Sequence, residues 1–442
     1  MREYPGRLGR WPGGIRGGRW RGGRWRGGRP ARPLGVLSLL GALLALAACG
    51  AQARTTAVPE LRSGVSGADR TLALAPSPEV QAARTEAGMS LDDKLGQLII
   101  IQFTEQDYTP LQQELVQPFH PGGVILYDYA MGSADQVRNL LAGAQADSPI
   151  PMLTMTDLEG GGVDHLARYV GPHMSAPAMA ASGDPTVATQ AGVKFAQDMQ
   201  SLGFNTDLAP DVDVALVNGP DQWGRTFGST PQPVITYAGA FLQGLQSQNV
   251  VGCLKHFPGL GDATTDAHAD LPIINRSRDE IEATELAPYR ALIATGQVQM
   301  IMSTDLLMPA LDPNLPAEIS RPIITGVLRN ELHYNGVAIT DALYMKGISD
   351  KYPFVQAAVM AIEAGNDMIM APFAPNMISG IIDWLKGDIA NGNYSMAQLD
   401  ASVTRILALK LRFHLLAAHT IPIRAGFHAG PEADRPRALP AV

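Results

Sequence analysis

Short apolar runs alternate with amphipathic stretches from about residue 90 to about residue 415, and this alternation is the feature that most constrains the fold. Both alternating positions within a run are apolar, which is typical of strands buried on both faces of a parallel sheet. The candidate strands are residues 98–101, 123–126, 152–155, 205–208, 251–254, 299–302, 337–339 and 367–370, and the candidate helices include 134–146, 186–202, 233–248, 278–295 and 319–332. Eight strands with intervening helices predict an α/β fold, a single (β/α)8 barrel of the TIM type.

The barrel is expected to occupy residues 89–416. Ser90 stands before Leu91-Asp92-Asp93 and is suited to cap a helix, since an acid follows in the first turn. Residues 49–88 are rich in Ala, Ser, Thr, Arg and Pro with weak periodicity, so we expect a disordered tether there. Residues 417–442 show no pattern either, and we expect a disordered tail.

The N-terminal segment has the composition of a targeting sequence. The first 33 residues contain ten Arg and one Glu, and residues 34–48 are an uninterrupted stretch of apolar and small residues. Fifteen residues are too few to span a bilayer comfortably and suit the apolar region of a signal peptide. The stretch ends in Leu46-Ala47-Ala48-Cys49, which looks like the lipobox of bacterial lipoproteins. We therefore expect a signal peptide over 1–48, lipidation of Cys49, and an extracytoplasmic lipoprotein anchored in the membrane at the bacterial cell surface. An uncleaved anchor, or a secretory signal with an incidental Cys, are the alternatives.

Charge argues against a nucleic-acid partner. Cleavage before Cys49 would leave 24 basic and 41 acidic residues, a formal net charge of −17. A chain this acidic is a poor ligand for polyanions. Cys253 would be the one other cysteine, so no intramolecular disulfide is expected, and its apolar neighbours indicate a buried thiol.

Residues 255–272 carry Lys255-His256 at one end and Asp266-Ala267-His268 at the other. The stretch is rich in Gly, Pro and short polar residues, so we expect a loop. In extended backbone, residues two positions apart point to the same side, so Asp266 can accept a hydrogen bond from His268 and fix the tautomer of its imidazole. An imidazole oriented in this way is a candidate general acid and base.

Polar residues follow five of the candidate strands. They are Asp157 and Glu159, residues 207–213, Lys255 and His256, Thr304 and Asp305, and Asp341. In TIM-type barrels, catalytic groups gather at the face where the strands end. A single acid after a strand is more often a helix N-cap, so the convergence of five strand ends is what indicates an active site.

The motifs of this chain resemble those of glycoside hydrolase family three. Residues 255–272 are similar to the signature of its β-N-acetylhexosaminidase branch, in which Lys-His and Asp-(Ser/Thr)-His flank a Pro-Gly loop. Further segments match in order, namely Asp157-Leu158-Glu159-Gly160-Gly161, residues 205–214, Gly224-Arg225-Thr226-Phe227-Gly228, residues 315–320 and residues 340–345. The resemblance covers roughly residues 89–415.

The resemblance implies an exo-acting, retaining β-glycosidase, a β-N-acetylglucosaminidase that acts on cell-wall or chitin-derived sugars. It implies that Asp341 attacks the anomeric carbon, and that His268, oriented by Asp266, is the acid and base. By the same matching, the sugar hydroxyls are held by Asp157, Arg225, Lys255 and His256. The resemblance implies a carbohydrate substrate and no cofactor or metal, and we expect a monomer.

One segment departs from the family pattern. Where the family continues Glu-Gly-Gly-Arg-Val-x-Arg, this chain has Glu159-Gly160-Gly161-Gly162-Val163-Asp164-His165, so both arginines are replaced. His165 is the candidate replacement for the second arginine, although it lacks the rigid fork and permanent charge of a guanidinium.

Other hypotheses stay open at this point. The whole protein could be a non-catalytic sugar-binding lipoprotein on a degenerate barrel, or a β-glucosidase or glycosyl phosphorylase, because a neutral imidazole repels phosphate less than a carboxylate does. Individual residues also have structural readings: Asp341 as a helix N-cap, Asp266 with His268 as a turn pair, Lys255 with His256 as a solvated pair, and Asp262, Asp266, His268 and Asp270 as a metal site.

Overall fold

The computed structural model describes residues 76–219 and 224–417 of the 442-residue chain. Eight parallel strands close into a barrel in the order β1-β2-β3-β6-β7-β8-β9-β10, and β10 pairs with β1 through Ile99 opposite Ile369 and Ile100 opposite Met370. The strands are β1 Ile99–Gln102, β2 Gly123–Ile125, β3 Leu153–Thr156, β6 Thr206–Asp207, β7 Val251–Phe257, β8 Met300–Ser303, β9 Val337–Ala342 and β10 Met368–Met370, and a separate hairpin pairs β4 Leu158–Gly160 with β5 Val163–Asp164. The predicted (β/α)8 barrel is confirmed.

Helices surround this barrel. They are α1 Pro78–Glu86, α2 Leu91–Gln97, α3 Pro110–Val116, α4 Ala134–Asp147, α5 Ala167–Val170, α6 Ala176–Ala181, α7 Pro185–Ser201, α8 Pro231–Gln246, α9 Arg278–Ala283, α10 Leu286–Ile293, α11 Lys346–Ser349, α12 Phe354–Ala364, α13 Pro375–Asn391 and α14 Met396–Arg412. Short 3-10 turns cover Asp128–Ala130 and Ala317–Ile319, and Pro322–Glu331 is a π-helix. Among the described residues, no helix combines the length and the apolar composition that a membrane span requires.

Apolar strand residues form the core. The barrel strands other than β9 are buried at every position, as a sheet covered on both faces requires. In β9 the one position that is only partly buried is Asp341, near the carboxyl end of the strand. Cys253 is fully buried within β7, as its apolar neighbours predict.

Two predicted helices differ from the structure. Residues 278–295 form α9 and α10, because Thr284 between them has φ −124° and ψ −72°, outside the helical region. Ser277 caps α9 with a capping box that includes Glu280. Residues 319–332 contain the end of a 3-10 turn and then the π-helix, and Pro322, which has no amide hydrogen, stands at the start of that helix.

The expected loop at 255–272 begins later than predicted. Lys255, His256 and Phe257 belong to β7, so the prediction of a loop is wrong for these three residues. Lys255 bridges Asp211 on one side and Phe257 pairs with Ser303 on the other, so both neighbouring strands supply partners. The polar composition misled the prediction, because the charge of Lys255 is neutralised inside the barrel and not in solvent.

The predicted tether is also wrong for residues 78–86, which form α1 and pack against α14. The Ser77 side chain caps this helix by accepting from the Val80 amide at 3.4 Å. Ala82 and Glu86 are buried on its inner face, and Glu86 forms an ion pair with Lys94. The expectations for the signal peptide, for Cys49, for the tether up to residue 75 and for the tail from residue 418 lie outside the described residues.

Candidate active site

A cavity of about 420 Å³ opens where the barrel strands end. Its wall includes seven of the eight residues that the sequence predicts for catalysis or sugar binding: Asp157, His165, Arg225, Lys255, His256, His268 and Asp341. The eighth, Asp266, contacts His268. The cavity lies within the size range of small-ligand sites and at the face of the barrel where such sites form.

Lys255 is 2 % exposed and belongs to a group of charged lining residues, here called the cavity floor: Asp157, Glu159, Arg225, Lys255 and His256. Its Nζ is 2.5 Å from Asp157 Oδ1 and 2.8 Å from Glu159 Oε1. Burial alone would lower the pKa of Lys255, but the two carboxylates together raise it above its ordinary value. The lysine is therefore a fixed cation, and the hypothesis of a solvated Lys255–His256 pair is wrong.

Glu159 joins this lysine to Arg225. The guanidinium donates in a fork, from Nε to Oε2 and from Nη2 to Oε1, both at 2.8 Å. Burial would raise the pKa of Glu159, but Arg225 and Lys255 hold it well below its ordinary value. The carboxylate stays ionised and fixes the position of both cations. A lysine in place of Arg225 could not form this two-bond contact, because its ammonium is a single point charge.

His256 is oriented from both sides. Its Nδ1 is 2.8 Å from Asp213 Oδ2, and its Nε2 is 3.2 Å from Nη2 of Arg225. Because a guanidinium only donates, the network assigns a proton to Nδ1 and leaves Nε2 as an acceptor. Burial would lower the pKa of His256, but the hydrogen bond that its Nδ1 donates to Asp213, together with the charge of that carboxylate, outweighs burial and raises it.

Asp341 lies near the end of β9, with one carboxylate oxygen bonded on each side. Thr304 Oγ1 donates to Oδ2 at 3.2 Å, and the Ala342 amide donates to Oδ1 at 2.7 Å. The next helix, α11, begins only at Lys346. Asp341 therefore caps no helix, and that structural reading is wrong.

The Asp266–His268 pair lies on the loop that borders the cavity. Asp266 Oδ1 is 3.0 Å from His268 Nδ1 and also accepts from the His268 amide at 2.8 Å. This is the hydrogen bond that the Asp-x-His spacing predicts, and it leaves Nε2 of the imidazole for a substrate. The His268 side chain is 70 % exposed, and the Gly347 amide holds the neighbouring Ala267 carbonyl at 3.2 Å.

His165 lies in the same wall, but its Nδ1 is engaged 3.0 Å from Asp128 Oδ1. Its ring meets the edge of Tyr127 at a centroid distance of 6.4 Å. At Gly162, where the family pattern has the first arginine, a Cβ would have no atom within 4 Å. The space at this position is therefore open.

Asp211, Asp213 and His256 are the one group in the described ranges whose ligand atoms lie within 4.8 Å of one another, as a metal site needs. Asp213 is already engaged, since its Oδ2 faces His256 and its Oδ1 accepts from the Leu260 amide at 2.6 Å. These contacts indicate a hydrogen-bonding role for the group. The alternative metal site would use Asp262, Asp266, His268 and Asp270. In the described part of the chain, these residues do not form a group whose ligand atoms lie close enough together to hold a metal ion.

Comparison with known proteins agrees with the motifs. Residues 90–409 match the model of the glycosyl hydrolase family 3 N-terminal domain. The chain belongs to glycosyl hydrolase family 3. This assignment covers the barrel and every residue of the cavity wall.

Several relatives span this region. The beta-hexosaminidase A of Pseudoalteromonas piscicida is 31% identical over 331 residues, which are 69% of this chain and 55% of the relative. Beta-hexosaminidase LpqI of Mycobacterium tuberculosis is 28% identical over 388 residues, which are 85% of this chain and 96% of that protein. The structure of a family 3 beta-N-acetylglucosaminidase from Paenibacillus sp. str. FPU-7 superposes with a TM-score of 0.69 at 32% identity, over 78% of this chain and 65% of that one. The chain thus spans only about half of the first relative.

The sequence indicated Glu159, and Asp213 within residues 207–213, as polar residues after strands but gave no role to either, and it indicated no role for Tyr127 or Tyr344. Glu159 links the two cations, Asp213 orients His256, and both tyrosines line the cavity. The Asp-x-Glu and Asp-Val-Asp spacings carried a signal for the acids, because residues two apart on a strand share a face. The tyrosines carried none, since aromatic residues after a strand are common in any core.

Proposed function

We propose that the protein is an exo-acting, retaining β-N-acetylglucosaminidase that removes terminal N-acetylglucosamine from cell-wall or chitin-derived sugars. One observation carries the proposal: Asp341 and His268, the latter bonded to Asp266, line one cavity that also presents a fixed set of charged hydrogen-bonding groups. The names of the relatives from Pseudoalteromonas and Paenibacillus support the same activity. Because the chain spans part of those relatives, the activity remains our proposal.

The proposed reaction has two steps. Asp341 attacks the anomeric carbon while His268 donates the proton on Nε2 to the leaving oxygen, which gives a glycosyl-enzyme. His268 then takes a proton from water, and the attack of that water on the anomeric carbon releases the sugar and Asp341. Asp266 keeps the imidazole in the required tautomer throughout, since its oxygen accepts from Nδ1.

The floor residues bind the sugar in this proposal. Lys255, Arg225 and Asp157 present donors and an acceptor whose positions are fixed by their ion pairs, so little entropy is lost when hydroxyl groups replace water. His256 offers an imidazole held by Asp213. His165 is the proposed contact at the edge of the cavity, where it replaces an arginine of the family pattern.

The activity is tested with a pair of substrates that share N-acetylglucosamine and differ in their leaving group. Asp341→Ala should abolish turnover of both a 2,4-dinitrophenyl and an alkyl β-glycoside. His268→Ala should lose at least ~100-fold with the alkyl glycoside, which needs the acid, and much less with the dinitrophenyl glycoside, which leaves without one. Exposed control positions are Asp383→Ala on α13 and His333→Asn before β9, and both should leave the rates unchanged.

Four results would contradict the proposal. Full activity of Asp341→Ala would show that Asp341 is not the nucleophile. Wild-type inactivity on every aryl glycoside, with sugar binding retained, would favour the non-catalytic lipoprotein. Turnover that depends on added phosphate would favour a glycosyl phosphorylase, and a preference for aryl β-glucosides would favour a β-glucosidase.

We also propose that the chain is an extracytoplasmic lipoprotein anchored through Cys49, and that it acts as a monomer. The sequence of residues 34–49 supports the anchor. Labelling of expressing cells with a palmitate analogue should mark the wild type and not Cys49→Ala. Light scattering on the detergent-purified protein should give the mass of one chain, and a dimer mass would contradict the second proposal.

A further inference from the structure

The cavity has an exposed mouth, most of which has no role in the proposed reaction. Four of the described wall residues are exposed, namely Asp128, Tyr129, His268 and Tyr344, and we call them the cavity mouth. His268 is the proposed acid, so the leaving oxygen lies at the mouth while the floor holds the terminal sugar. The next sugar of the substrate lies beyond that oxygen. It therefore meets the other three residues of the mouth.

Tyr129 is an exposed aromatic ring in a fixed position. The residue is 50 % exposed, yet the side-chain amide of Gln102, which is buried at the end of β1, donates to its hydroxyl. The turn that carries Tyr129 is held as well, because Arg168 Nη2 donates to the Asp128 carbonyl at 2.9 Å and to the Met131 carbonyl at 2.5 Å. A ring that is fixed in this way loses little entropy when a ligand packs on it.

Two more tyrosines extend this aromatic surface. The ring centroids of Tyr127 and Tyr129 are 6.0 Å apart with an angle of 36° between the planes, and Tyr127 meets the ring of His165 on its other side. Tyr344 adds a second exposed ring to the mouth. Pyranose rings present C–H groups that pack on aromatic faces, and exposed aromatic surface at the edge of a cavity is typical of a ligand site.

Asp128 gives the mouth a negative charge. Its side chain is 61 % exposed, and its Oδ1 lies 3.0 Å from His165 Nδ1. Arg168 contacts the same turn but is not part of the cavity wall, and its Nη2 donates to backbone carbonyls. When His268 carries two protons, its positive charge faces Asp266, which is 3.0 Å from Nδ1.

The rest of the described wall does not reverse this charge. Its lysine and its arginine, Lys255 and Arg225, are both paired with carboxylates of the floor, Asp157 and Glu159. Asp341 adds a further acid to the wall. A carboxylate on the substrate would thus approach acids whose neutralising cations are already engaged, whereas an ammonium group would be attracted.

We propose that Tyr129 and Tyr344 pack on the leaving-group sugar, and that Asp128 selects a neutral or amine-bearing sugar there over one that carries a carboxylate. This inference rests on the proposed glycosidase activity and narrows its substrate class. Chains of neutral or partly deacetylated N-acetylglucosamine fit the mouth better than a cell-wall sugar with an acidic ether substituent. The three residues determine specificity, since the nucleophile and the acid are elsewhere in the wall.

Two substrates with the same terminal sugar test the packing. Methyl β-N-acetylglucosaminide has no second ring, and the β-1,4-linked disaccharide of N-acetylglucosamine has one. Tyr129→Ala should lower kcat/KM ~5–20-fold more on the disaccharide than on the methyl glycoside, mainly through KM. Tyr129→Phe keeps the ring and should keep the ratio of the two rates within about twofold. Trp384→Ala removes an exposed aromatic ring on α13, outside the cavity wall, and is the matched control. Equal losses on both substrates in Tyr129→Ala would overturn the proposal.

Binding tests the same subsite without turnover. Calorimetry on Asp341→Asn should show that the disaccharide binds at least ~5-fold more tightly than the methyl glycoside, and Tyr129→Ala in this background should remove the advantage. Equal affinities of the two sugars for Asp341→Asn would overturn the packing. Inactivity of the wild type on every glycoside would count against the proposed function alone, and the ratio of affinities would then decide the subsite.

A pair of disaccharides that differ by one charge tests the role of Asp128. Both carry N-acetylglucosamine on a second amino sugar with a lactyl ether, which is a free acid in one and a methyl ester in the other. At low ionic strength, Asp341→Asn should bind the ester ~3–10-fold more tightly than the acid. Asp128→Asn should bring this ratio to within about twofold of one, whereas Asp383→Asn, which removes an exposed carboxylate on α13, should keep it. Equal binding of acid and ester, or a ratio that Asp128→Asn leaves unchanged, would overturn the proposed selection by charge.

Discussion

Lys410 on α14 is a buried lysine that forms no ion pair with any described residue, and its replacement by Met should stabilise the protein at neutral pH. The residue is 0% exposed, and its Nζ donates to Gln97 Oε1 at 2.7 Å. Gln97 ends α2 just before β1, so Lys410 lies at the face of the barrel opposite the cavity. Substitutions at that face should act on stability and not on turnover.

The magnitude follows from burial, which lowers the pKa of Lys410 from 10.5 to about 7. At about 1.4 kcal/mol per pKa unit, the buried lysine costs about 5 kcal/mol at any pH below 7. Met removes this cost but leaves Gln97 Oε1 without its donor, which costs about 1–3 kcal/mol. The expected net gain at pH 6 is therefore roughly 2–4 kcal/mol.

The difference in the free energy of unfolding between Lys410→Met and the wild type changes sign as pH rises. Between pH 7 and 10.5, unfolded Lys is charged while folded Lys410 is neutral, so the wild type becomes more stable as pH rises. Lys410→Met lacks this dependence, and the two free energies of unfolding should cross near pH 9. Above pH 10.5 the variant should be less stable, because only the unpaired Gln97 oxygen remains.

Urea unfolding at pH 6, 8 and 9.5 measures these differences by linear extrapolation. The exposed Lys351→Met is the control and should change the free energy of unfolding by less than about 0.5 kcal/mol at every pH. A double variant with Gln97→Met also removes the orphaned oxygen. A Lys410→Met protein that is destabilised at pH 6, or whose difference from the wild type does not vary with pH, would refute the reasoning that burial lowers the pKa of Lys410.

Three further predictions concern the site. Arg225→Lys should lower kcat/KM ~10–100-fold on an aryl β-N-acetylglucosaminide, because one ammonium cannot replace the forked contact with Glu159, and the exposed Arg84→Lys should not. Gly347→Ala should cost about 1–3 kcal/mol in urea unfolding, since its Cβ would meet the Asp305 carboxylate, whereas Gly387→Ala on α13, with open space around it, should stabilise by about 0.4–1 kcal/mol. Gly162→Arg should leave stability within about 0.5 kcal/mol and change KM, and an unchanged KM for every glycoside tested would show that this position is remote from substrate.

The sequence predicted the barrel because its signal is local. Most buried strands coincide with an apolar run, β6 Thr206–Asp207 being the exception, and the strands of the structure agree with the predicted ones except at their ends. Helix α1 was missed for the opposite reason: its amphipathic character is weak, and it is held mainly by packing on α14, which lies more than 300 residues further along the chain. Lys255 and His256 were placed in a loop because composition rules assume that charge seeks solvent.

The sequence predicted which residues form the site but not all of the contacts that those residues make. Motif spacing brought seven predicted residues to one cavity, since strand ends of a parallel barrel must converge. It could not show that Glu159 serves two cations at once, because that depends on distances between β4, β7 and the segment of Arg225. The consequence is chemical: two carboxylates and two cations on the floor neutralise one another before any ligand binds. Recognition of hydroxyl groups then relies on fixed dipoles and donors, and in the proposed reaction Asp341 supplies the carboxylate that meets a positively charged transition state.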